Sequence, residues 1–519
     1  MTDSVTQSVQ LVEQIALLPM QSGMTLDREL RLGGDVSLWE AIAPYLTFYR
    51  FPTLFSQRGW RARWAQHVGS FRAIAGQVRD GLSMSGRRDS GHCPRWPRGG
   101  ATVLLLGFWP THYRDVLQSV AESLAVIERL DVVVLAADRE PLRSHGQSEA
   151  IRFQSVWQHW NRAIAKDIDT RVARLGAVRR HVLWHGTLQT FVQETKVAVD
   201  PTALRQEFAR LFRRDFRRLV THAALATHVL DRHRPALVVY TDETDPRSRV
   251  YSLLARHREI PTLAVQQGLA TPGYPEWHFL SARAIAVMGE SSRQILLAQG
   301  VSPERIVITG HPGFDRLVDP GNGDRATVRS TLGITAGEPM VLFASQPPYA
   351  GAFRSPAIRR EMIAAVASSA AAVAPLRLVV KPHPGEDERE LKAIIGTHAR
   401  IMIVDRETDI SPLIKACDVL ITFFSQTALQ ALYAGKPVIN VAFPDSGGPT
   451  LYLESHATWV ARSAEEIAGH LRYLTADAPR SKDASREEAR QRFVCDWAYL
   501  PDGRASERVS ALAARLVGQ

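Results

Sequence analysis

The feature that most constrains this chain is two successive series of short apolar runs, each alternating with segments of helical spacing. The first series has runs at 101–108, 130–136, 235–240, 261–268, 282–289 and 305–310. The second has runs at 339–345, 376–381, 401–405, 418–422 and 437–441. Short apolar runs that alternate with helices are typical of buried parallel strands in βα units. The pattern therefore predicts an α/β fold with two Rossmann-like sheets.

The length of 519 residues agrees with two α/β domains, because a single hydrophobic core rarely organises so long a chain. A cluster of turn-forming residues at 319–324 is the expected linker. The predicted divisions are a helical N-terminal extension (1–100), a first Rossmann-like domain (101–320) with a helical insertion at about 148–234, a second Rossmann-like domain (325–490) and a C-terminal helix (491–519).

Composition excludes several classes of protein. With 45% hydrophobic and 22% charged residues, the chain is an ordinary globular protein, and no apolar stretch is long enough to span a bilayer. Cys93, Cys417 and Cys495 lie too far apart for a zinc site and suggest no disulfide framework. A net charge of +10 attracts nucleic acid, anionic lipid and phosphate substrates alike, but no recognition motif for nucleic acid is present. We expect a cytoplasmic protein that binds no nucleic acid.

An aromatic run from Tyr45 to Trp64 has two interpretations. An amphipathic helix packed on the body of the protein is favoured. Peripheral contact with the cytoplasmic face of the inner membrane is the alternative.

The strongest local motif is Lys381-Pro-His-Pro-Gly-Glu386, which directly follows a predicted strand. Its prolines fix the backbone, while Lys381 and His383 offer nitrogen donors to a phosphate or nucleotide. A simple turn is the alternative interpretation.

A second motif, Ser425-Gln-Thr427, opens a predicted helix after the strand at 418–422. Free backbone N–H groups and the helix dipole favour an anion there, and the hydroxyl groups add hydrogen bonds. Ser425 as a plain helix cap is the alternative. Ser345 and Gln346 end a neighbouring predicted strand, so we expect them in the same crevice.

Candidate residues of the first series follow its strands. Asp242 and Glu243 are alternative general bases, because a carboxylate can take a proton from a hydroxyl group, although helix capping would explain them equally well. Gln267 and Gly268 end the next strand. His311 either touches a phosphate or forms a crossover turn, and His112 is a weaker candidate.

These motifs resemble the GT-B superfamily, specifically the capsule and surface-polysaccharide group of polysialyl- and Kdo-type transferases and CDP-glycerol glycerophosphotransferases. Lys381-Pro-His-Pro384 resembles their His-Pro motif, and 425–427 their Ser/Thr motif. A segment at 502–508 resembles their closing segment. The likeness covers roughly residue 235 to the C-terminus.

The resemblance implies two domains facing a cleft, with the acceptor on the first and the donor on the second. His383 would hold the donor phosphate or assist its departure, and a first-domain carboxylate, Asp242 or Glu243, would deprotonate the acceptor. The donor-binding candidates are Ser345, Gln346, Lys381, His383, Ser425, Gln426, Thr427 and His311, and those on the acceptor side are Gln267, Gly268 and His112. No metal or cofactor is required by this scheme, although Mg²⁺ at 242–245 is a less favoured variant.

The implied activity is transfer of a sugar from a nucleotide-activated donor, with a CMP-sugar such as Kdo or sialic acid favoured, to a glycan or lipid-linked acceptor. The alternatives are a CDP-glycerol-type polyol phosphate transferase, an enzyme similar to UDP-N-acetylglucosamine 2-epimerase, and a non-catalytic scaffold of the same fold.

Overall fold

A computed structural model describes most of the chain. The described residues are 2–32, 36–55, 99–137, 150–184, 186–271, 277–319, 325–348, 353–444, 446–447, 450–476 and 484–518. They form two compact units. The first unit comprises 1–287, 292–313 and 506–519, and the second comprises 288–291 and 314–505.

The first unit is built on a parallel sheet of seven strands in the order β5-β4-β3-β6-β7-β8-β9. These strands are β3 (Ala101–Leu106), β4 (Leu130–Ala136), β5 (Ile151–Ser155), β6 (Leu237–Tyr240), β7 (Thr262–Val265), β8 (Ala284–Val287) and β9 (Ile306–Ile308). The chain starts at β3, adds strands on one side, and then returns to add strands on the other side. The sheet therefore has the doubly wound order of a Rossmann fold.

Both faces of this sheet are covered, which explains why its central strands are almost wholly apolar. Along β3, Leu104 and Leu106 enter one core, while Val103 and Leu105 enter the core on the opposite face. The helices that cover the sheet or flank it are α1 (Thr2–Ala16), α2 (Leu26–Glu29), α3 (Leu38–Tyr45), α4 (Pro110–His112), α5 (Gln118–Ala125), α6 (Arg162–Trp184), α7 (Thr187–Thr195), α8 (Pro201–Arg210), α9 (Phe216–His233), α10 (Pro246–His257) and α11 (Glu290–Ala298). Shorter helical turns are π-helical at Leu46–Arg50, Tyr113–Leu117 and Leu211–Asp215, and 3₁₀ at Phe51–Leu54, Val156–His159, Pro303–Arg305 and Pro312–Phe314.

The N-terminal segment packs into the core of the first unit. Helix α3 places Trp39 against Phe208, with ring centroids 5.8 Å apart, and the indole Nε1 donates to the carbonyl oxygen of Val12. A short antiparallel ribbon of β1 (Arg31–Leu32) and β2 (Val36–Ser37) precedes this helix. Most of the aromatic run from Tyr45 to Phe55 is thus packed on the protein, whereas Tyr49 is 51% exposed. Its remainder, with Trp60 and Trp64, lies outside the described residues, as does Cys93.

Two of the predicted divisions of the chain have a different secondary structure from the one expected. The predicted helical insertion at 148–234 begins with strand β5, at the edge of the sheet. The predicted single helix at 491–519 is instead two helices, α20 (Ala484–Ala498) and α21 (Ala505–Val517), separated by a turn around Gly503.

The second unit has a parallel sheet of six strands in the order β12-β11-β10-β13-β14-β15. The strands are β10 (Met340–Ala344), β11 (Arg377–Lys381), β12 (Ile401–Ile403), β13 (Val419–Thr422), β14 (Val438–Val441) and β15 (Trp459–Ala461). Its other helices are α12 (Asp315–Val318), α13 (Arg325–Thr331), α14 (Pro356–Ala372), α15 (Glu388–Ile395), α16 (Ile410–Ala416), α17 (Gln426–Tyr433), α18 (Leu451–Glu454) and α19 (Ala464–Thr475). This is again the doubly wound order, so the predicted α/β fold with two Rossmann-like units is confirmed.

Helix α21 returns to the first unit. From Ser506 onward it belongs to that unit, where Val509, Leu512 and Leu516 enter the core on the face of the sheet that also buries Val103 and Leu105. Within the described residues, no helix is both long and apolar enough to cross a bilayer.

Candidate functional site

The candidate residues gather where the strand order of each sheet reverses. In the first unit this point lies between β3 and β6, and in the second between β10 and β13. Loops that leave such a pair of strands diverge and open a crevice at their carboxyl ends, which is where doubly wound folds bind ligands. Each unit therefore offers one candidate site.

A cavity of about 220 Å³ lies at the reversal point of the first unit, and we call it the first-unit cavity. Its lining contains five of the predicted residues. The lining residues are His112, Thr241, Asp242, Glu243, Thr244, Gln267 and Gly268 on a polar side, and Phe48, Tyr49 and Trp277 on an aromatic side.

Asp242 is the carboxylate of this cavity with spare hydrogen-bonding capacity. Its Oδ1 accepts from the backbone N and the hydroxyl group of Thr244, both at 2.7 Å, and no described residue donates to Oδ2. Burial raises the pKa of Asp242, and the neighbouring carboxylate of Asp245 raises it further. A raised pKa strengthens a carboxylate as a base toward a hydroxyl proton.

Glu243 has the opposite surroundings. Its two oxygens accept from the Tyr240 hydroxyl at 2.5 Å, from Arg249 at 2.8 Å, and from the backbone and side chain of Ser281 and the backbone of Ala282. Only 2% of its surface is exposed. Because both oxygens are already occupied by donors of the protein, this geometry favours a structural role for Glu243.

His112 reaches the cavity from the short helix α4, which follows β3. Its Nδ1 lies 3.3 Å from the hydroxyl of Thr241, and its ring packs near Trp109. Burial lowers the pKa of His112, although the charge of Asp242 opposes that shift. The imidazole is thus neutral at pH 7 and borders the carboxylate of Asp242.

Asp245 is not a spare acid of this site. It caps helix α10 by accepting from the backbone of Arg247 at 3.0 Å, and it also pairs with the guanidinium of Arg247 at 2.9 Å. That guanidinium in turn donates to the carbonyl of Phe108, at the end of β3. The pair therefore ties the two loops of the reversal point together.

His311 occupies a turn beside the cavity. Its Nδ1 accepts from the backbone of Gly313 at 3.1 Å, so the proton lies on Nε2, which is 3.1 Å from the carbonyl oxygen of Gln267. A Cβ atom at Gly313 would meet the carbonyl oxygen of Asp115, so only glycine fits this turn. Because both ring nitrogens are engaged within the first unit, the crossover-turn interpretation of His311 is favoured.

The candidates of the second unit surround a buried ion pair between Arg359 and Glu386, 2.5 Å apart. Glu386 also accepts from the hydroxyl of Ser345 at 2.7 Å and from the backbone N of His383 at 2.7 Å. Arg359, on helix α14, donates to the carbonyl of Gln346 at 2.7 Å. The pair thus fixes the loops after β10 and β11. We call Ser345, Gln346, Lys381, His383, Glu386, Ser425 and Thr427 the second-unit loop cluster.

Gln346 extends this network to the loop after β13. Its side-chain Oε1 accepts from the backbone N of Phe424 at 3.0 Å. Phe424 directly precedes Ser425, so the loops with His383 and Ser425 are joined through one chain of hydrogen bonds. Ser345 and Gln346 are themselves only 4% and 7% exposed, which gives them a supporting part in this crevice.

His383 is the half-buried imidazole of this cluster. Its Nδ1 accepts from the backbone N of Gly385 at 3.0 Å, which leaves the ring proton on Nε2. Burial lowers the pKa of His383, Glu386 opposes this shift, and Lys381 reinforces it. The side chain is therefore a neutral N–H donor at pH 7.

Lys381 is turned toward the protein. Its ammonium group donates to the carbonyl oxygens of Pro382 at 2.7 Å and Arg406 at 2.6 Å, and the residue is 5% exposed. These bonds close the loop that carries His383. The geometry favours a supporting role for Lys381 over direct phosphate binding.

Helix α17 begins at Gln426, with Ser425 as its N-cap. The hydroxyl of Ser425 accepts from the backbone N of Thr427 at 3.2 Å and lies 3.0 Å from the Thr427 hydroxyl. Both hydroxyl groups are half-buried at the positive end of the helix. Capping and anion binding are compatible here, because only one of the terminal N–H groups is used by the cap.

Sequence reasoning missed four contributors to these sites. Phe48, Tyr49 and Trp277 form the aromatic side of the first-unit cavity, and Arg359 holds the second-unit loop cluster. Phe48 and Tyr49 belong to the aromatic run that begins at Tyr45, which sequence analysis interpreted as a packing or membrane-contact segment and not as part of a site. No local motif marks Trp277 or Arg359. Among the described residues, no group of three or more His, Cys, Asp or Glu side chains is arranged to hold a metal ion.

Comparison with solved structures finds remote likenesses, of which three follow. A putative UDP-N-acetylglucosamine 2-epimerase from Listeria monocytogenes has 14% identity and a TM-score of 0.49, with 81% of this chain and 98% of that chain covered. The UDP-GlcNAc 2-epimerase from Methanocaldococcus jannaschii has 11% identity and a TM-score of 0.49, with 80% and 99% covered. The wall teichoic acid polymerase TagF has 12% identity and a TM-score of 0.47, with 80% and 89% covered. At these values the likenesses do not indicate an activity.

A comparison with curated protein sequences finds no significant match. The family model described as CDP-Glycerol:Poly(glycerophosphate) glycerophosphotransferase matches residues 285–514. The matched segment is less than half of the chain, but it contains the whole second-unit loop cluster and the His311 turn. This match supports a transferase.

Proposed function

We propose that the chain transfers a polyol phosphate group from a CDP-linked donor, of which CDP-glycerol is the model, to a hydroxyl group on a surface-polymer acceptor. The observation that carries this proposal is the family match over 285–514. It favours this donor over the CMP-sugar that sequence analysis placed first. The cytoplasmic location, the membrane contact and the independence from metal stay predictions.

The second-unit loop cluster supplies chemistry suited to a diphosphate. The neutral Nε2–H of His383 can donate to a phosphate oxygen, and the start of helix α17 adds backbone N–H groups and two hydroxyls. Preorganised donors of this kind stabilise the negative charge that grows on a leaving phosphate.

The reaction balances without a further reactant. The acceptor oxygen forms a bond to the phosphorus that carries the glycerol, and the bond from that phosphorus to the bridging oxygen breaks. CMP leaves with the electron pair. The acceptor hydroxyl loses its proton, for which we propose the carboxylate of Asp242, because its Oδ2 accepts no hydrogen bond from the described residues.

The test is a ligand screen followed by a transfer assay on the full chain. CDP-glycerol, CDP, CMP and UDP-N-acetylglucosamine are compared by thermal shift, and release of CMP is then followed with a glycerol phosphate oligomer as acceptor. We expect the cytidine ligands to raise Tm. A ligand present at a hundred times its Kd adds about 2.7 kcal/mol to the free energy of unfolding. Stabilisation by UDP-N-acetylglucosamine alone, or by no nucleotide, overturns the proposal.

A further inference from the structure

Three histidine side chains that the proposed chemistry does not use meet at one edge of the first unit. His159 ends the 3₁₀ turn Val156–His159, which follows the edge strand β5, and His228 and His233 lie on helix α9. The ring centroid of His159 is 5.2 Å from that of His233 and 6.4 Å from that of His228. We call these three residues the histidine cluster.

The cluster is buried where the turn packs on the helix. His159 is 1% exposed, and His228 and His233 are half-buried. A buried imidazole gives up hydration that its charged form needs, so burial favours the neutral ring. The turn and the helix are therefore joined by rings that pack as neutral groups.

The charges around the cluster also oppose protonation. Arg232, on the same helix, acts on all three rings. Among the described residues, the carboxylate that acts on the cluster is Asp231, which affects His228 and is itself paired with Arg258, at the end of α10, at 2.5 Å. Protonated rings of the cluster would in addition repel one another.

These surroundings lower the pKa of every ring in the cluster. Burial, reinforced by His233, His228 and Arg232, lowers the pKa of His159 to about 3. Burial, reinforced by Arg232 and His228, lowers the pKa of His233 to about 4, and burial lowers the pKa of His228 as well. When the turn leaves the helix, the rings are exposed and their pKa values return toward about 6.5, so opening takes up protons. The closed arrangement is therefore fully favoured above about pH 6.5 and loses stability as the pH falls below that value.

The turn is short and follows an edge strand, so it can open locally while the sheet stays folded. Its four residues are held by a capping box, in which Ser155 Oγ accepts from the backbone N of Trp157 and the side chain of Gln158 accepts from the backbone N of Ser155, both at 3.2 Å. The ring of Trp157 lies 6.3 Å from that of His222, also on α9. Burial lowers the pKa of His222 to about 4, so this second contact between turn and helix responds to acid in the same direction.

We propose that the histidine cluster is an acid-sensitive latch: neutral rings hold the turn Val156–His159 on helix α9, and their protonation releases it. The latch lies one helix away from the first-unit site, because α9 packs along α10, whose Asp245–Arg247 pair joins the loops of the reversal point. The proposal involves no substrate and does not depend on the proposed function.

The test follows amide hydrogen exchange in the full wild-type chain at pH 7 and pH 5, corrected for the pH dependence of intrinsic exchange. We expect the opening constants of 156–160 and 226–234 to rise at least about a hundredfold, because each ring whose pKa returns to about 6.5 contributes roughly 25-fold over this range. Segment 362–370 of the second unit contains no titratable side chain and serves as the reference.

His159→Phe keeps an aromatic ring that cannot be charged, and it should make the rise at least about tenfold smaller. His278→Phe is the matched control and should behave as wild type, because the His278 side chain is 40% exposed and pairs with the carboxylate of Glu13 at 2.8 Å, so a proton there stays hydrated and paired. The proposal fails if 156–160 and 226–234 open no more than 362–370 does in wild-type protein, or if His159→Phe keeps the full rise. Should His159→Phe not fold, NMR titration of the histidine rings in wild-type protein decides: at least two rings should titrate below pH 5, and titration of every ring near pH 6.5 would overturn the proposal.

Discussion

Adjacent carboxylates at the end of β6 differ because their hydrogen-bond partners differ. Both oxygens of Glu243 accept hydrogen bonds, from Tyr240, Arg249 and the 281–282 backbone. In Asp242 only one oxygen, Oδ1, accepts hydrogen bonds from the described residues. The sequence offers both residues equally as bases, because most partners of Glu243 lie beyond the local motif. The distinction becomes visible only when the chain has folded.

Asp242→Asn should abolish the acid limb of the pH–rate profile and lower kcat at least about a hundredfold, because an amide cannot take the acceptor proton. In wild-type protein the rate should rise with pH through a pKa above that of an ordinary aspartate, since burial raises this pKa. The measurement is kcat/KM against pH for transfer from CDP-glycerol. Glu243→Gln should keep the acid limb of the pH–rate profile. If Glu243→Gln loses this limb and Asp242→Asn keeps it, Glu243 is the base.

Glu243→Ala should destabilise the protein by about 3 to 5 kcal/mol, because the buried charge of Arg249 loses its partner. Urea denaturation measures this change. Glu13→Ala is the control: Glu13 is paired with His278 at 2.8 Å but is half exposed, and such surface pairs contribute about 0 to 1 kcal/mol. Equal losses in the two variants would contradict the structural role of Glu243.

His383→Ala should lower kcat at least about a hundredfold, which is the usual effect of removing a transition-state hydrogen-bond donor. His398→Ala is a matched control, because its Nδ1 makes the same bond to the backbone two residues on, at 3.2 Å, but it precedes β12 rather than following a strand. The measurement is the steady-state kcat for transfer from CDP-glycerol in both variants. Wild-type turnover in His383→Ala would remove this imidazole from the chemistry.

At the scale of elements, hydrophobic patterning found the central strands and one edge strand of each sheet, β9 and β12, but it missed the other edge strand of each. Strand β5, with Arg152 exposed and Gln154 buried, and the short strand β15 lie at sheet edges. An edge strand pairs on one side only and is less completely covered, so it need not be an apolar run. The inner strands need to be apolar because both of their faces are buried, and that is why their sequence reveals them.

The Arg359–Glu386 pair connects one helix to two strand-end loops, so breaking it should affect both stability and catalysis. Arg359→Met leaves Glu386 charged and buried, and should cost about 3 to 5 kcal/mol in urea denaturation. Arg359→Met with Glu386→Gln should recover part of this loss. If the double variant is no more stable than the single one, the cost comes from packing rather than from the unpaired charge.

At the scale of the whole molecule, two sheets with the same doubly wound order each place their candidate residues at the reversal point. The alternation of runs and helices predicts the sheets, and the ends of strands then indicate where polar residues such as His383 and Asp242 matter. The supporting residues are less accessible to sequence reasoning. Trp277 and Arg359 act through tertiary contacts that no local pattern encodes.

Binding of CDP-glycerol should slow amide hydrogen exchange in the second unit at 382–386 and 423–427. These segments contain the groups that we propose donate hydrogen bonds to its phosphates. Segments at the opposite ends of the same strands, such as 336–339, should exchange as in the free protein. Exchange followed by mass spectrometry measures both sets. If only 336–339 were protected from exchange, the nucleotide would bind at the opposite end of the strands.

Helix α21 has a practical consequence for grafting experiments. It follows the second unit along the chain, yet Val509, Leu512 and Leu516 help to close the core of the first. A chimera that exchanges the second unit with that of another protein should therefore take only 314–505 and retain the native tail. A chimera that also exchanged 506–519 would remove native core residues from the first unit. Its failure to express would then reflect lost packing and would say nothing about which nucleotide-linked substrate is used.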